Sequence, residues 1–216
     1  AFGESGLLII LGDEIDFEVN QQVHFLKEWI RNSGIEGINE LIPAYASLLI
    51  GFDPYKIDAN LIRDRVVEGI SQTQQVIYRS NKSIEIPTIY GGEYGPDLEF
   101  VANFTKLSAS EVIRLHSEVE YTVFMMGFSP GFPYLGGMNP ILAVPRLSSP
   151  RMRVPAGSVG IAGKQTGIYP SDSAGGWQLI GWTPVKLFDP TSEPYFLLKP
   201  GDRLRFLPIS PGNATR

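Results

Sequence analysis

The sequence contains no cysteine and only two histidines. Without cysteine, the chain can form no disulfide, no thiolate nucleophile and no thiolate metal site. The two histidines, His24 and His116, are far apart in sequence, which disfavours a histidine-rich metal site. We therefore expect no bound metal.

Basic residues are not in excess, and long apolar runs are missing. The formal net charge is -5, whereas a nucleic-acid surface usually carries an excess of lysine and arginine. The apolar runs at residues 7–11 and 121–126 are far shorter than the roughly 20 residues of a membrane-spanning helix. We also expect no positively charged, cleavable leader before them. We therefore expect a cytoplasmic protein without nucleic-acid or membrane partners.

Proline, glycine and charge are distributed unevenly along the chain. Residues 1–83 hold two of the 17 prolines and seven of the 23 glycines. They also hold seven basic and twelve acidic residues, which gives that part a net charge of -5, while residues 84–216 hold eleven of each. We predict a domain boundary after residue 83, with an acidic first domain that could dock on a basic partner.

Residues 1–83 show the pattern of a small α+β domain. Apolar residues 7–11 predict a strand, and the four- and three-residue spacing of Val19, Val23, Leu26 and Ile30 predicts a helix. Two extended segments and a second amphipathic helix follow. On the first helix His24 lies among charged residues, which predicts a solvated side chain.

Residues 84–216 show the pattern of a mainly β barrel preceded by two helices. Ser108 and Glu111 predict a capping box at the start of the second of these helices. Short apolar strands separated by glycine and proline turns then predict a closed or nearly closed barrel, with residues 195–207 as a hairpin. His116 lies near one apolar helix face, so it is either a hydrogen-bonded core residue or a proton carrier at neutral pH.

Three segments, residues 127–137, 145–170 and 173–184, are dense in glycine, proline and aromatic residues. Such loops approach a ligand closely and lose little entropy on binding it, which predicts a small-molecule pocket. The alternative is that they are only the tight turns of a barrel. Arg146, Arg151 and Arg153 either clamp a carboxylate or phosphate, or form a solvated edge.

The stretch "AGSVGIAGKQTGIY" contains glycines at every third position followed by a lysine. A phosphate-binding loop of the Walker type needs a glycine five residues before Gly163 and a hydroxyl residue after Lys164. Ser158 and Gln165 occupy those positions, and the following Gly-Ile-Tyr-Pro opposes a helix. This stretch is therefore not predicted to be a nucleotide-binding loop.

The segments "GFSPGFPYLGG", "SPRMRVPAGSVGIAGKQTGIYP" and "GGWQLIGWTP" closely resemble the signature of the family called allophanate hydrolase subunit 1 or the 5-oxoprolinase B subunit. The resemblance extends over nearly the whole chain, because "GESGLLIILGDEI", "IPAYASLLIGFDP" and "IYGGEYGPDL" also match the family pattern. It implies a small N-terminal α/β domain and a C-terminal cyclophilin-like β-barrel. The same barrel forms half of the carboxyltransferase domain of urea carboxylase.

The resemblance implies a non-autonomous subunit of an ATP-dependent 5-oxoprolinase. Its partners would be a homologous barrel protein of the 5-oxoprolinase C type and a third component of the A type. ATP and Mg²⁺ would be used by the complex, with neither bound tightly by this chain alone. The family also includes a sporulation kinase inhibitor, so the alternative is a regulator that binds a histidine kinase.

Opening a lactam requires a site that holds a neutral ring with a carboxylate and stabilises developing negative charge. We predict that His116, Lys164 and Gln165 act as catalytic residues, helped by the amides of residues 158–163. The predicted substrate-binding residues are those of the glycine-rich segments: Phe128, Ser129, Phe132, Tyr134, Arg151, Arg153, Ser158, Gly160, Gly163, Tyr169, Trp177 and Gln178.

Overall fold

The computed structural model describes residues 3–72 and 83–213. The chain divides into two compact units, Ala1–Arg79 and Ser80–Arg216. The domain boundary expected after residue 83 stays a prediction. In the described part of the chain, no helix combines the length and the apolar character needed to cross a membrane.

Unit 1 contains a three-stranded antiparallel sheet and two helices. The elements are β1 (Gly6–Ile10), α1 (Phe17–Asn32), β2 (Ile38–Pro43), β3 (Ser47–Phe52) and α2 (Ala59–Gln72), with strand order β1-β3-β2. Asp16 caps α1 by accepting the Val19 N–H at 3.0 Å. The apolar face of α1, with Val23, Leu26 and Ile30, is buried in the core of this unit.

His24 is buried, so its predicted solvation is wrong. Its side chain is only 3% exposed, although charged residues neighbour it on the helix. Asn20, one turn earlier, is also buried and donates to the Ala44 and Tyr45 carbonyls at 3.3 and 3.0 Å. Asn20 and His24 are therefore polar residues in a buried part of α1, and Asn20 binds the backbone of the β2–β3 turn.

Unit 2 is built around a closed barrel of seven strands, as the sequence predicts. The barrel order is β11-β4-β12-β5-β6-β9-β8, and β7 pairs with β10 outside it. Within the barrel β4 and β12 are parallel, whereas the other pairs are antiparallel. The strands are β4 (Ser83–Tyr90), β5 (Tyr121–Met126), β6 (Pro133–Gly136), β7 (Arg151–Val154), β8 (Ser158–Ala162), β9 (Gln165–Ile168), β10 (Ser173–Gly175), β11 (Gln178–Trp182) and β12 (Arg203–Pro208).

Two helices, α3 (Leu98–Thr105) and α4 (Ala109–Ser117), lie between β4 and β5. The predicted capping box at α4 is confirmed: the Ser108 N–H donates to Glu111 Oε2 at 2.9 Å, and the Glu111 N–H donates to Ser108 Oγ at 3.3 Å. Apolar residues of both helices pack into the barrel core. Short 3-10 helices occupy Pro140–Leu142 and Pro211–Asn213.

The predicted hairpin at residues 195–207 is wrong in its first half. β12 forms, but it pairs with β4 and β5 rather than with the residues that precede it. Before the turn, Phe196 makes only an isolated bridge to Phe188. The buried Asp202 closes the turn by accepting the Lys199 N–H at 3.0 Å, and β12 obtains its two strand partners from distant parts of the chain.

Candidate functional site

Five of the predicted aromatic residues come together in unit 2. We call them the outer aromatic cluster: Phe128, Phe132, Tyr134, Tyr169 and Trp177. The ring of Phe132 lies at the centre, with centroid distances of 4.9 Å to Tyr134, 5.2 Å to Tyr169 and 5.5 Å to Trp177. The sequence-based prediction that these residues form one group agrees with this geometry.

The outer aromatic cluster lies on a flat area of the barrel wall made by two glycines. Gly160 of β8 pairs directly with Gly167 of β9. A Cβ atom on Gly167 would lie 2.9 Å from Phe132 Cζ, and one on Gly160 would lie 3.0 Å from Trp177 Cβ. Glycine suits these positions because a Cβ on Gly167 would press against the Phe132 ring and one on Gly160 would press against the Trp177 side chain.

Exposure differs strongly within the cluster. Phe132, Tyr169 and Trp177 are 2 to 6% exposed, so they act mainly as a packed base. Phe128 is 62% exposed, and its ring centroid lies 5.5 Å from that of Phe132 and 6.2 Å from that of Tyr169. Phe128 also has a φ of 64°, a left-handed conformation that is rare for an aromatic residue. An exposed ring held in a strained backbone conformation is typical of a binding site.

The barrel wall separates the outer aromatic cluster from the barrel core. Along β8, Val159 and Ile161 belong to the barrel core, whereas Ala162 packs with the aromatic cluster. Because side chains alternate along a strand, adjacent residues of a barrel strand face opposite sides of the wall. The predicted site residues therefore divide into an inner and an outer group.

His116 belongs to the inner group. Its side chain is fully buried, and its Nε2 lies 2.9 Å from Thr166 Oγ1 while its Nδ1 lies 2.8 Å from the Tyr90 hydroxyl. The Thr166 hydroxyl donates to the Gly160 carbonyl at 3.0 Å, so it accepts from His116 Nε2–H. Nδ1 then accepts from Tyr90. All three groups are satisfied with a neutral imidazole.

Burial lowers the pKa of His116 to about 3. The phenols beside it respond in the opposite direction, because burial raises the pKa of Tyr90 and of Tyr121. A histidine that is neutral over the physiological range and shielded from solvent is suited to fixing the barrel interior. The geometry favours the core interpretation of His116 over proton transfer.

Lys164 and Gln165 lie at a hairpin between β8 and β9. Ala162 pairs with Gln165, and Gly163 and Lys164 form the two-residue turn. Gly163 has a φ of 56° and donates its N–H to the Val144 carbonyl at 2.7 Å. Lys164 is exposed, whereas Gln165 is 8% exposed. Gln165 and Thr166 are adjacent in β9, so Gln165 faces away from His116.

The backbone of residues 158–163 takes part in the hydrogen bonding of the barrel. β8 pairs with β11 on one edge and with β9 on the other, so its amides are used by the barrel. The buried Ser158 pairs with Trp182 and begins this strand. The stabilisation of negative charge by these amides stays a prediction.

Ser129 and Gln178 occupy structural positions near the cluster. The Ser129 carbonyl accepts the Phe132 N–H at 3.0 Å and so closes the turn that presents Phe128. Gln178 is 2% exposed, and its amide donates to the Pro145 carbonyl at 3.1 Å.

Arg151 and Arg153, both in β7, bind carboxylates of this chain. Arg151 Nη2 lies 2.6 Å from Asp97 Oδ1, and Asp97 Oδ2 accepts the Leu179 N–H at 2.6 Å, which ties β7 and β11 to the start of α3. Arg153 Nη2 lies 2.7 Å from Asp172 Oδ2 on the surface. Arg151 thus supports the wall beneath the outer aromatic cluster.

A cavity of about 950 Å³ lies elsewhere in unit 2, lined by Met126, residues 193–200 and Asp202. No predicted site residue lines it. No sequence pattern indicated this cavity, because its walls come from the segment that was predicted to be half of a hairpin. Within residues 3–72 and 83–213, histidine, aspartate and glutamate form no group of three or more that could hold a metal ion.

The family model of the carboxyltransferase domain, subdomain C and D, matches residues 1–198. The chain belongs to this family. Among its relatives, the 5-oxoprolinase B subunit of Bacillus subtilis (strain 168) is 45% identical over 218 residues, which cover 96% of this chain and 91% of the relative. The resemblance drawn from the sequence motifs is therefore confirmed.

Two solved structures share the fold of this chain. A conserved uncharacterized protein of Pyrococcus horikoshii is 47% identical with a TM-score of 0.60, covering 97% of this chain and 96% of that one. The Kluyveromyces lactis urea amidolyase matches with a TM-score of 0.78 at 21% identity, over 95% of this chain. This chain spans 14% of that enzyme and 40% of another longer solved structure.

Proposed function

We propose that this chain is a non-autonomous subunit of an ATP-dependent 5-oxoprolinase. The complex would convert 5-oxoproline, ATP and water to glutamate, ADP and phosphate. The observation that carries the proposal is the 45% identity to the Bacillus subtilis 5-oxoprolinase B subunit over 91% of that relative's length. Two further relatives with the same name, from Escherichia coli O157:H7 and Haemophilus influenzae, are 51% and 55% identical over shorter stretches.

The partners in this proposal are a homologous barrel protein of the 5-oxoprolinase C type and a third component of the A type. The exposed Phe128 ring beside a packed aromatic base suits a surface that another protein completes, because aromatic residues are enriched in interface cores. We place the substrate on the outer side of the barrel wall, against the outer aromatic cluster.

The catalytic residues of the proposal are restricted to that outer side. Lys164 is exposed at the hairpin tip, and Gln165 faces away from the barrel core, so both remain candidates to contact substrate. His116 acts as a structural residue, since both of its nitrogens bind groups of the barrel interior. Ser158, Gly160 and Gly163 shape the wall and its turn.

The residues around Gly163 and Lys164 do not fit a bound ATP. Their turn joins two strands, and no helix N-terminus follows it to receive a phosphate. We therefore assign the use of ATP and Mg²⁺ to the complex, propose that this chain alone binds neither tightly, and assign no reaction step to this loop.

The proposal also includes the fold of each unit and the location of the complex in the cell. We infer that unit 1 is an α+β domain ending near residue 83 and that the barrel is cyclophilin-like. Two helices with a three-stranded sheet in unit 1, and a closed barrel in unit 2, support these assignments. We place the complex in the cytoplasm.

The test compares the purified chain alone with the chain mixed with its candidate partner proteins. Each sample receives 5-oxoproline and MgATP, and the release of glutamate and phosphate is followed. We expect no turnover by the chain alone and equal amounts of glutamate and phosphate from the complete mixture. Stoichiometric turnover by the chain alone would contradict the proposal of a non-autonomous subunit. A complete mixture without turnover would favour the alternative function, a regulator that binds a histidine kinase.

A further inference from the structure

Arg146 is held beside the outer aromatic cluster by hydrogen bonds on both of its sides. Gln178 Nε2 donates to the Pro145 carbonyl at 3.1 Å, and the Leu147 N–H donates to the Gly176 carbonyl at 2.7 Å. These two bonds join the residues flanking Arg146 to the residues flanking Trp177. Arg146 therefore lies opposite Trp177, at the edge of the cluster.

The positive charge of Arg146 influences the pKa values of two tyrosines of the outer aromatic cluster. Burial raises the pKa of Tyr134 and of Tyr169, and the positive charge of Arg146 partly offsets the increase at both residues. The guanidinium charge therefore acts on both phenols, and the two backbone bonds hold the residues flanking Arg146 next to those flanking Trp177.

Arg146 differs from the two neighbouring arginines in having no acidic partner. Arg151 and Arg153 bind Asp97 and Asp172 at 2.6 and 2.7 Å. In the described part of the chain no carboxylate forms an ion pair with Arg146, and the residue is exposed. A guanidinium presents a planar fork of donors that matches a carboxylate, and here that fork is available to a ligand.

We propose that Arg146 binds the carboxylate of a small cyclic acid whose ring lies against Phe128, Tyr134 and Tyr169. The inference rests on the proposed function for the identity of the ring, a five-membered lactam. Phe128 supports it independently, because its ring is 62% exposed at a φ of 64° and would form one wall of the site. Trp177 and Phe132 form the rigid base, and Arg146 sets the orientation of the ring.

The test measures equilibrium binding of two ligands to the assembled complex without ATP. The ligands are 5-oxoproline and 2-pyrrolidinone, which has the same ring without the carboxylate. The variants are Arg146→Gln and Arg146→Lys, with Arg205→Gln as the control, because Arg205 is also an exposed arginine of unit 2 but lies in β12. Near-UV circular dichroism and gel filtration verify that every variant folds and assembles.

We expect Arg146→Gln to weaken 5-oxoproline binding at least about 10-fold, as for loss of a hydrogen bond to a charged group, and to leave 2-pyrrolidinone binding unchanged. Arg146→Lys should restore part of the affinity, and Arg205→Gln should bind both ligands like the wild type. Wild-type affinity in Arg146→Gln, an equal loss for both ligands, or a wild-type complex that does not bind 5-oxoproline would overturn the inference. A complex that binds 5-oxoproline through Arg146 but releases no glutamate with MgATP would contradict the proposed function and leave this site intact.

Discussion

Acid should destabilise unit 2 through His116. Burial holds the pKa of His116 at about 3 in the folded protein, whereas the ordinary value of 6.5 applies to the unfolded chain. As the pH falls below 6.5, the unfolded state binds the proton first. The contribution of neutral His116 to the free energy of unfolding is therefore fully present above pH 6.5. It is lost progressively as the pH falls toward about 3.

The size of the effect follows from the difference between the two pKa values. A pH of 5 lies about 1.5 units below the pKa of the imidazole in the unfolded chain. Each unit corresponds to about 1.4 kcal/mol, so the free energy of unfolding falls by about 2 kcal/mol. This figure changes little if the folded pKa is one unit higher, because the folded imidazole would still be neutral at pH 5. The full loss near pH 3 is about 5 kcal/mol by the same relation.

The assay is urea denaturation at pH 7 and pH 5, followed by tryptophan fluorescence in a Trp29→Phe background. That change leaves Trp177 and Trp182, both in unit 2, as the reporters. His116→Gln is the test variant, and His24→Gln is the matched control because it removes the histidine of unit 1.

We expect His116→Gln to be less stable than the wild type at pH 7 but to lose about 2 kcal/mol less between pH 7 and pH 5. His24→Gln should keep the wild-type loss in unit 2. Parallel pH dependence in the wild type and His116→Gln would refute the reasoning, because it would mean that His116 is not held neutral by the fold.

Two further predictions concern the barrel wall. Arg151→Met should lower the free energy of unfolding in urea by about 1 to 3 kcal/mol, because it leaves the largely buried carboxylate of Asp97 without its guanidinium. Arg153→Met should stay within about 0.5 kcal/mol of the wild type. Equal losses in the two variants would contradict this ranking. Gly167→Ala should lower the free energy of unfolding by about 1 to 3 kcal/mol and alter the near-UV circular dichroism of the aromatic cluster, since the new Cβ would lie 2.9 Å from the Phe132 ring. A Cβ at Gly212 would have no neighbouring atom within 4 Å, so Gly212→Ala should behave like the wild type.

Patterns within short stretches of the sequence predicted much of the barrel unit. The capping box of Ser108 and Glu111 marked the start of α4 to the residue, and the apolar run at 121–126 coincides with β5. Both signals depend on groups within a few residues of each other, so the local chain contains everything needed to interpret them. The long motifs in the glycine-rich segments also identified the family, and they brought the five aromatic residues into one predicted group.

The errors and the undecided alternatives depend on contacts between distant residues. His24 lies on a polar helix face that the sequence could not distinguish from a solvated one, because the buried neighbour Asn20 binds carbonyls at residues 44 and 45. The three arginines look alike in sequence, yet Arg151 binds Asp97, 54 positions away. Whether an arginine is paired or available depends on such contacts, which no local pattern reports.

The sequence by itself determined the barrel, the start of α4 and the family, because spacing along a few residues or a long motif was sufficient. The tertiary structure decided which side of the barrel wall each site residue occupies. Gln165 and Thr166 are neighbours in the chain, but Thr166 binds His116 in the interior while Gln165 faces the other way. The physical reason is that side chains alternate across a strand, and only closure of the barrel determines which of the two sides faces the barrel core.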